Sequence, residues 1–295
     1  MAKDAPPAAD LAAVIVDYNA GEYLTRCVGS VLATAGGMTL DVVVVDNDST
    51  DGSAHAAKAA HPEIRLIETR ENRGFAAGAN VGIRATAAPF IFVLNPDAYI
   101  SKGTLAGFAK LAAERPRAGA VGPLVRNPDG TVYATGRSVP SLGTAVGHAF
   151  LGPFLPENRW SRAYRMEGWD RVSEREVDWI SGSAMLLRRQ ALDQIGLLDE
   201  RFFLYAEDVD LFTRLRQAGW SVLFTPELEV IHEGGVSTGR SRRMHLEHSR
   251  SVYRYFEKHH ARGWRRALLP FAWLALRVRA EVVSLRDRTR GRVRP

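Results

Sequence analysis

The feature that most constrains this chain is Phe90-Ile-Phe-Val-Leu94, five apolar residues followed at once by Asn95-Pro96-Asp97. An apolar run of that length, closed by a turn signal, reads as a buried strand. It delivers a carboxylate just past its C-terminal end. In an open α/β sheet that edge is where ligands bind. A carboxylate there, with an amide two residues before it, suits an Mg²⁺ or Mn²⁺ ion that keeps several waters and takes its other oxygens from a diphosphate. The same residues also read as an Asx turn ending a strand. What Asp97 does therefore depends on what else the chain brings to that edge.

Three more segments lead there. Leu11–Val16 predicts a first parallel strand, followed by Asp17-Tyr18-Asn19 and a helix from Glu22 to Ala33. The turn lacks the Gly-x-Gly-x-x-Gly spacing of a dinucleotide site, which argues against a dehydrogenase. Asp41–Val45 predicts a second strand ending in Asp46-Asn47, with Ser49 or Thr50 expected to cap a helix running to Ala60. Asp46 is then left for another task, such as accepting a hydrogen bond from a base N–H. Ile64–Glu68 predicts a third strand before Asn72-Arg73-Gly74-Phe75 and a helix over 76–87. Gly74 permits close backbone approach and Arg73 brings a fixed cation. Asp46, Arg73 and Asp97 thus converge on one crevice.

A helix from Lys102 to Arg115 and a strand over Ala118–Leu124 continue the alternation. From Arg126 to Glu174 the composition shifts to Gly, Pro, Arg and aromatics with weak periodicity, the pattern of a binding loop or lid. Val177–Ile180 and Ala184–Leu187 read as strand segments around Ser181-Gly182-Ser183, with the glycine marking a bulge. Glu207, Asp208 and Asp210 open a helix running to Ala218. The helix dipole favours acids in a first turn. Three acids in four positions exceed what capping requires, so one of them is available as a general base. Trp220–Phe224 and Leu228–Ile231 are expected as two short strands, the second ending at His232.

Composition sets the context. The chain of 295 residues carries a formal charge of +6, and much of the excess lies near its end, from Arg262 to Arg294. Such a bias suits an anionic partner, either nucleic acid or a membrane surface. The longest apolar run, Ala267–Leu276, is too short to span a bilayer and contains Pro270. A peripheral protein fits better than an integral one. The single cysteine, Cys27, excludes an intramolecular disulfide and fits a reducing compartment. Residues 1–10 read as a disordered tail, 11–247 as one large domain with halves at 11–125 and 126–247, and 248–295 as an amphipathic basic segment.

The segments Val14-Ile-Val-Asp-Tyr-Asn19, Val44-Val-Asp-Asn-Asp-Ser-Thr-Asp-Gly52, Asn72-Arg-Gly-Phe75, Asn95-Pro-Asp97 and Glu207-Asp-Val-Asp210 together resemble the family-2 inverting glycosyltransferases of GT-A fold. The likeness spans roughly Leu11 to Gly235. It implies a mostly parallel, Rossmann-like sheet flanked by helices, here with a helical basic C-terminal appendage. Within the family, Pro116–Ala120, Gly122-Pro-Leu124, Leu151-Gly-Pro-Phe154, Trp179-Ile-Ser-Gly-Ser183 and Ser237-Thr-Gly-Arg240 are similar to the rhamnosyltransferases of actinobacterial cell-wall linker synthesis.

That resemblance implies a dTDP-L-rhamnose donor, a polyprenyl-diphosphate-linked N-acetylglucosamine acceptor and an Mg²⁺ or Mn²⁺ cofactor. It implies donor contacts from Asp17, Tyr18, Asn19, Asp46, Asn47, Arg73, Gly74, Asn95 and Asp97, with Asp46 on the thymine and Arg73 assisting nucleotide binding. Asp97 and His232 would hold the metal. Asp208 would be the base, supported by Glu207, and Trp179, Ser181, Gly182 and Ser183 would meet the acceptor. The family's first metal-motif acid is Asn95 here, a weaker neutral ligand, so direct ligation does not carry over to it. The implied location is cytoplasmic, on the inner face of the plasma membrane. A homo-oligomer is left open. A UDP-hexose or galactofuranose donor is the alternative within the family. A nucleic-acid-binding reading of the basic tail leaves Asp46, Asp97 and Asp208 without a purpose, and no nucleic-acid partner is expected.

Overall fold

The computed structural model describes residues 9–138, 155, 158–164, 166, 168–235 and 241–291. Residues 1–8 of the expected tail, the Leu151–Phe154 and Ser237–Arg240 motifs and much of the expected lid lie outside the described residues.

Four apolar strands build the half that was most legible: β1 (Leu11–Asp17), β2 (Leu40–Asp46), β3 (Arg65–Glu68) and β4 (Phe90–Leu94). They pair in parallel in the order β3-β2-β1-β4, with Asp17 opposite Asp46 in the register. Helices α1 (Glu22–Ala33), α2 (Ser53–Ala60) and α3 (Phe75–Arg84) connect them. Side chains of a strand alternate between faces, and β1 shows what that does. Leu11, Ala13 and Ile15 pack with Leu24 and Val28 of α1, while Val14 and Val16 pack with Ala79 and Ile83 of α3. The sheet is therefore covered on both sides.

Beyond β4 the sheet is mixed. β5 (Ala98–Lys102), α4 (Leu105–Ala113), β6 (Ala118–Arg126), α5 (Arg159–Tyr164), β7 (Arg175–Val177), β8 (Ala184–Arg188), α6 (Arg189–Ile195), α7 (Glu207–Gln217) and β9 (Ser221–His232) follow in order. The sheet continues β4-β8-β6-β9-β5, and β7 pairs with β9. β8 runs antiparallel to β4 and β6, and β5 antiparallel to β9. Several sequence expectations shift here. The helix expected from Lys102 is shorter because Ala98–Lys102 is a strand, and Thr104 caps the helix by accepting from the Gly107 N–H. The two expected strands around Pro226 are one, with a register shift against β6 that lets the proline sit without a ladder donor. Val177–Ile180 divides into β7 and an isolated bridge between Trp179 and Arg137, and Gly182 lies in a turn.

Two long helices, α8 (Arg242–His259) and α9 (Leu269–Gly291), end the described chain, linked by a 3₁₀ turn over Gly263–Leu268. They run antiparallel: Ser249 Oγ donates to the Leu276 carbonyl at 3.1 Å, and the Tyr253 and Trp273 rings lie 5.4 Å apart. The boundary expected after residue 247 falls inside α8. Its helical face is short of apolar residues at the start, so the pattern conceals six residues of it. α8 is bolted to α7. Tyr255 Oη lies 3.0 Å from Thr213 Oγ1, and Lys258 and His259 reach the buried Asp210 at 2.6 and 2.7 Å.

Candidate active site

A cleft of about 720 Å³ opens at the C-terminal ends of β1, β2 and β4. It is lined by Tyr18, Asn47, Asn95 and Asp97, by Gly74, Phe75 and Phe203–Tyr205, and by His232, Gly234 and the start of α8. Parallel pairing explains why the strand ends meet: each delivers its first polar residue to the same edge.

The loop tips are tied together by their own side chains. Asp17 is buried, and its Oδ2 accepts from Ser53 Oγ at 2.6 Å and Ser49 Oγ at 3.3 Å. Burial pushes its carboxyl up, against the pull of the Ser53 hydrogen bond. Ser49 Oγ also accepts from the Asn19 N–H, and Asn19 Oδ1 accepts from the Thr50 N–H. The expected helix cap from Ser49 or Thr50 is therefore absent: both serve this loop network, and Gly52 in a left-handed conformation precedes α2. Asp46 Oδ1 accepts from the Ser49 N–H at 2.8 Å, three residues on, which ties the loop back to the strand tip. Asp17, Asn19 and Asp46 stand behind the cleft lining rather than in it.

Asn47 bridges to the next segment, donating to Asn72 Oδ1 and the Gly74 carbonyl. Gly74 has φ +87°, and a Cβ there would meet the Phe203 carbonyl oxygen at 2.2 Å. Only glycine allows this approach. The Arg73 side chain points away from the cleft lining. It is about half exposed and pairs with Glu200 at 3.5 Å and Glu71 at 3.4 Å. The structure thus brings Tyr18, Asn47, Gly74, Asn95, Asp97 and His232 together and leaves Arg73 outside.

His232 Nε2 stands 3.2 Å from Asp97 Oδ1 and 3.2 Å from Asn95 Nδ2. The register makes this possible, because His232 pairs with Ala98 across β5 and β9. Rotating the Asn95 amide by half a turn would present its oxygen instead. No cluster of three His, Cys, Asp or Glu side chains able to hold a metal occurs among the described residues. Asp97 and His232 nevertheless supply an oxygen and an imidazole nitrogen on one side of an open cleft. That donor set fits an ion completed by water and diphosphate oxygens.

Behind Asn95 lies the second half of the site. The Asn95 N–H donates to the Ser183 carbonyl at 2.9 Å, and the neighbouring Gly182 N–H donates to Asp208 Oδ2 at 3.0 Å. Asp208 sits in the first turn of α7, just after Tyr205 and Ala206, which both have positive φ. Its side chain keeps some contact with solvent. Packing around the carboxyl raises its pKa, while the Val209 and Gly182 N–H groups and the charge of Arg137 oppose the rise. Glu207 is buried, and its Oε2 has no hydrogen-bond partner. Burial, then the charge of Asp208, holds it well above the usual carboxylate range. Trp179 is buried beneath the Arg137 guanidinium, 4.8 Å from it, and Ser181 Oγ lies 3.0 Å from Ser183 Oγ. None of Trp179, Ser181–Ser183, Glu207 or Asp208 lines the main cleft; they adjoin it through the 181–183 turn.

The comparisons agree with this geometry. The sequence profile described as "Glycosyl transferase family 2" matches residues 12–196. The chain belongs to glycosyl transferase family 2. As a family-2 glycosyltransferase, it is similar to the N-acetylglucosaminyl-diphospho-decaprenol L-rhamnosyltransferase of Mycobacterium tuberculosis, at 42% identity over 96% of each chain. It is more distantly similar to the low-salt glycan biosynthesis hexosyltransferase Agl10 of Haloferax volcanii, 26% identical over 83% of this chain and 72% of that one. The fold is shared with the mannosyltransferase PcManGT of Pyrobaculum calidifontis, solved with GDP-Man and Mn²⁺ (TM-score 0.56, 16% identity, 94% of this chain and 74% of that one). It is also shared with residues 1–349 of S. aureus TarS (TM-score 0.52, 14% identity, 95% and 91%).

Sequence reasoning missed part of the family-2 site. Phe203, Tyr205, Ser241, Arg243 and Met244 line the cleft. The basic run around Arg242 was visible, but nothing in it showed that a helix starting at 242 would reach the cleft. Asn80 was passed over inside a small-residue helix. It is buried and holds Leu198 and Glu200, which positions the loop before α7.

Proposed function

We propose that this chain transfers L-rhamnose, with inversion, from dTDP-β-L-rhamnose to the 3-hydroxyl of N-acetylglucosamine on decaprenyl diphosphate, forming the linker of cell-wall arabinogalactan. The observation that carries the reading is 42% identity, sustained over 96% of both chains, to a protein named for that activity. The geometry supports it. In this reading Asn47 lines the base end of the cleft, and Asp46, held behind it, fixes the strand tip from which the base is met. Tyr18 and the Gly74–Phe75 backbone bound the nucleoside, and Arg243 at the start of α8 offers a cation to the phosphates. Asp97 and His232 would hold a divalent ion, which would supply charge neutralisation for the departing diphosphate.

Asp208 takes the proton as the acceptor oxygen bonds to the anomeric carbon on the face opposite the leaving group. The bond from that carbon to the diphosphate breaks, its electron pair leaves with dTDP, and no enzyme nucleophile is used. The 181–183 turn, whose Gly182 N–H holds Asp208, frames the acceptor sugar together with Trp179 ahead of it. An acceptor carried on a polyprenyl chain brings the enzyme to a membrane surface. No helix among the described residues is long and apolar enough to cross a membrane, which suits a peripheral arrangement.

The test is a donor panel assayed by mass spectrometry of the lipid product: dTDP-rhamnose against UDP-hexoses and UDP-galactofuranose. A deoxyhexose added only from dTDP-rhamnose supports the reading. A hexose added from a UDP donor instead replaces it with the alternative within the family.

A further inference from the structure

The catalytic reading leaves one large surface unused. α9 buries Leu276, Ala280 and Ser284, spaced four apart, on the side that meets α8. On the opposite side Phe271, Leu274, Val278, Val282 and Leu285 recur at intervals of three or four residues, and all are exposed, Phe271 to 71%. That spacing gathers them into one stripe. The 3₁₀ turn ahead of the helix adds Trp264, exposed to 75%. A contiguous apolar patch of this kind marks an interaction surface.

Charge identifies the occupant. α9 contains two acids, and both are drawn to the α8 side: Glu281 accepts from Arg242 Nε at 2.8 Å, and Asp287 Oδ2 lies 3.0 Å from His245 Nε2. The turn beside Trp264 presents Arg262, Arg265 and Arg266 to solvent. An apolar stripe with an aromatic anchor and an uncompensated basic border matches an interface of acyl chains and anionic headgroups. A second copy of the chain would set like charges against each other.

We propose that this face docks on an anionic lipid bilayer, with α9 lying in the plane of the headgroups. The contacts from Arg242 and His245 place the C-terminal half of α9 beside Ser241, Arg243 and Met244, which line the cleft. Docking therefore keeps the cleft close to the lipid surface. The meaning of that proximity rests on the lipid-linked acceptor proposed above, whereas the docking surface itself does not.

The test uses the full chain, co-sedimented with vesicles of phosphatidylcholine alone or mixed with phosphatidylglycerol. A Phe271→Glu/Val278→Glu variant probes the stripe, and an Arg262→Gln/Arg265→Gln variant probes the border. Wild type is expected to bind the mixed vesicles about tenfold or more tightly than the neutral ones, with binding weakened by salt. Each variant is expected to lose about tenfold of that binding while transferring sugar to a short-chain soluble acceptor at the wild-type rate. Equal binding to both vesicle types overturns the proposal, and so does undiminished binding by the stripe variant. Light scattering that shows a wild-type dimer made monomeric by the stripe variant, without a vesicle effect, assigns the face to self-association and also overturns it. A stripe variant that loses transfer to the soluble acceptor does the same, because the face then supports the fold. Failure of the rhamnose reading would appear in the donor panel and leave the vesicle result standing.

Discussion

The Gly182 N–H donates a 3.0 Å hydrogen bond to Asp208 Oδ2, and the next carbonyl, that of Ser183, accepts from the Asn95 N–H. One three-residue turn thereby sets the distance between the proposed base and the loop that carries Asp97. A side chain at position 182 would disturb it, since a Cβ there would lie 3.3 Å from both Asp208 Cβ and Oδ2. Gly182→Ala is expected to lower kcat about ten- to a hundredfold. The KM for dTDP-rhamnose should stay near wild type. Steady-state kinetics on the folded variant checks it, and an unchanged kcat would show that the turn does not position the base.

Glu207 gives a contrasting expectation. Burial, then the charge of Asp208, holds its carboxyl well above the usual range, which favours the uncharged form. Glu207→Gln keeps the shape of that uncharged form, and kcat is expected to stay within about threefold. Asp208 is itself raised, and as a base it acts only when deprotonated. Activity should therefore climb with pH through an acid limb that lies above the ordinary aspartate range. The pH profile of kcat/KM measures both. A large loss in the glutamine variant would mean that Glu207 works as an anion.

How much of this was legible depends on which force shaped each element. β1, β2 and β4 are buried on both faces, so their apolar runs announce them and the polar residues at their ends announce the site. β5 was not legible: Ala98-Tyr-Ile-Ser-Lys102 becomes a strand only because β9 offers it an edge, a partner far along the chain. Ser49 and Thr50 carry the chemistry of a cap, yet Asp17 and Asn19 claim them. Arg73 reads as a cleft cation until Glu200, 127 positions later, appears beside it. In each case the local signal was sound and a distant residue overrode it.

Asp97→Ala removes the carboxylate that lines the cleft beside His232. Transfer is expected to fall about a thousandfold while the fold persists. Mn²⁺ binding in the presence of dTDP, followed by electron paramagnetic resonance, should weaken in parallel. Near-normal turnover of the folded variant in Mg²⁺ would take Asp97 out of the metal site.

Asp210 answers a different question. It is another acid of the same first turn, but Arg214, Lys258 and His259 all converge on it. Burial alone would raise its carboxyl, yet the hydrogen bonds from His259 and Lys258 and the Arg214 contact hold it below its usual range. Its role is to fasten α8 to α7. Asp210→Asn leaves buried cations without their counter-charge and is expected to cost about 3 kcal/mol of stability in urea unfolding. A variant of unchanged stability that lost transfer would make Asp210 a catalytic group instead.

The most direct test of the account is Asp208→Asn, assayed for rhamnose transfer alongside calorimetric binding of dTDP. The amide keeps the side chain's size but cannot take the acceptor proton. The expected result is a fall in kcat of about a thousandfold with dTDP affinity unchanged. Transfer within tenfold of wild type would contradict the assignment of Asp208 as the base.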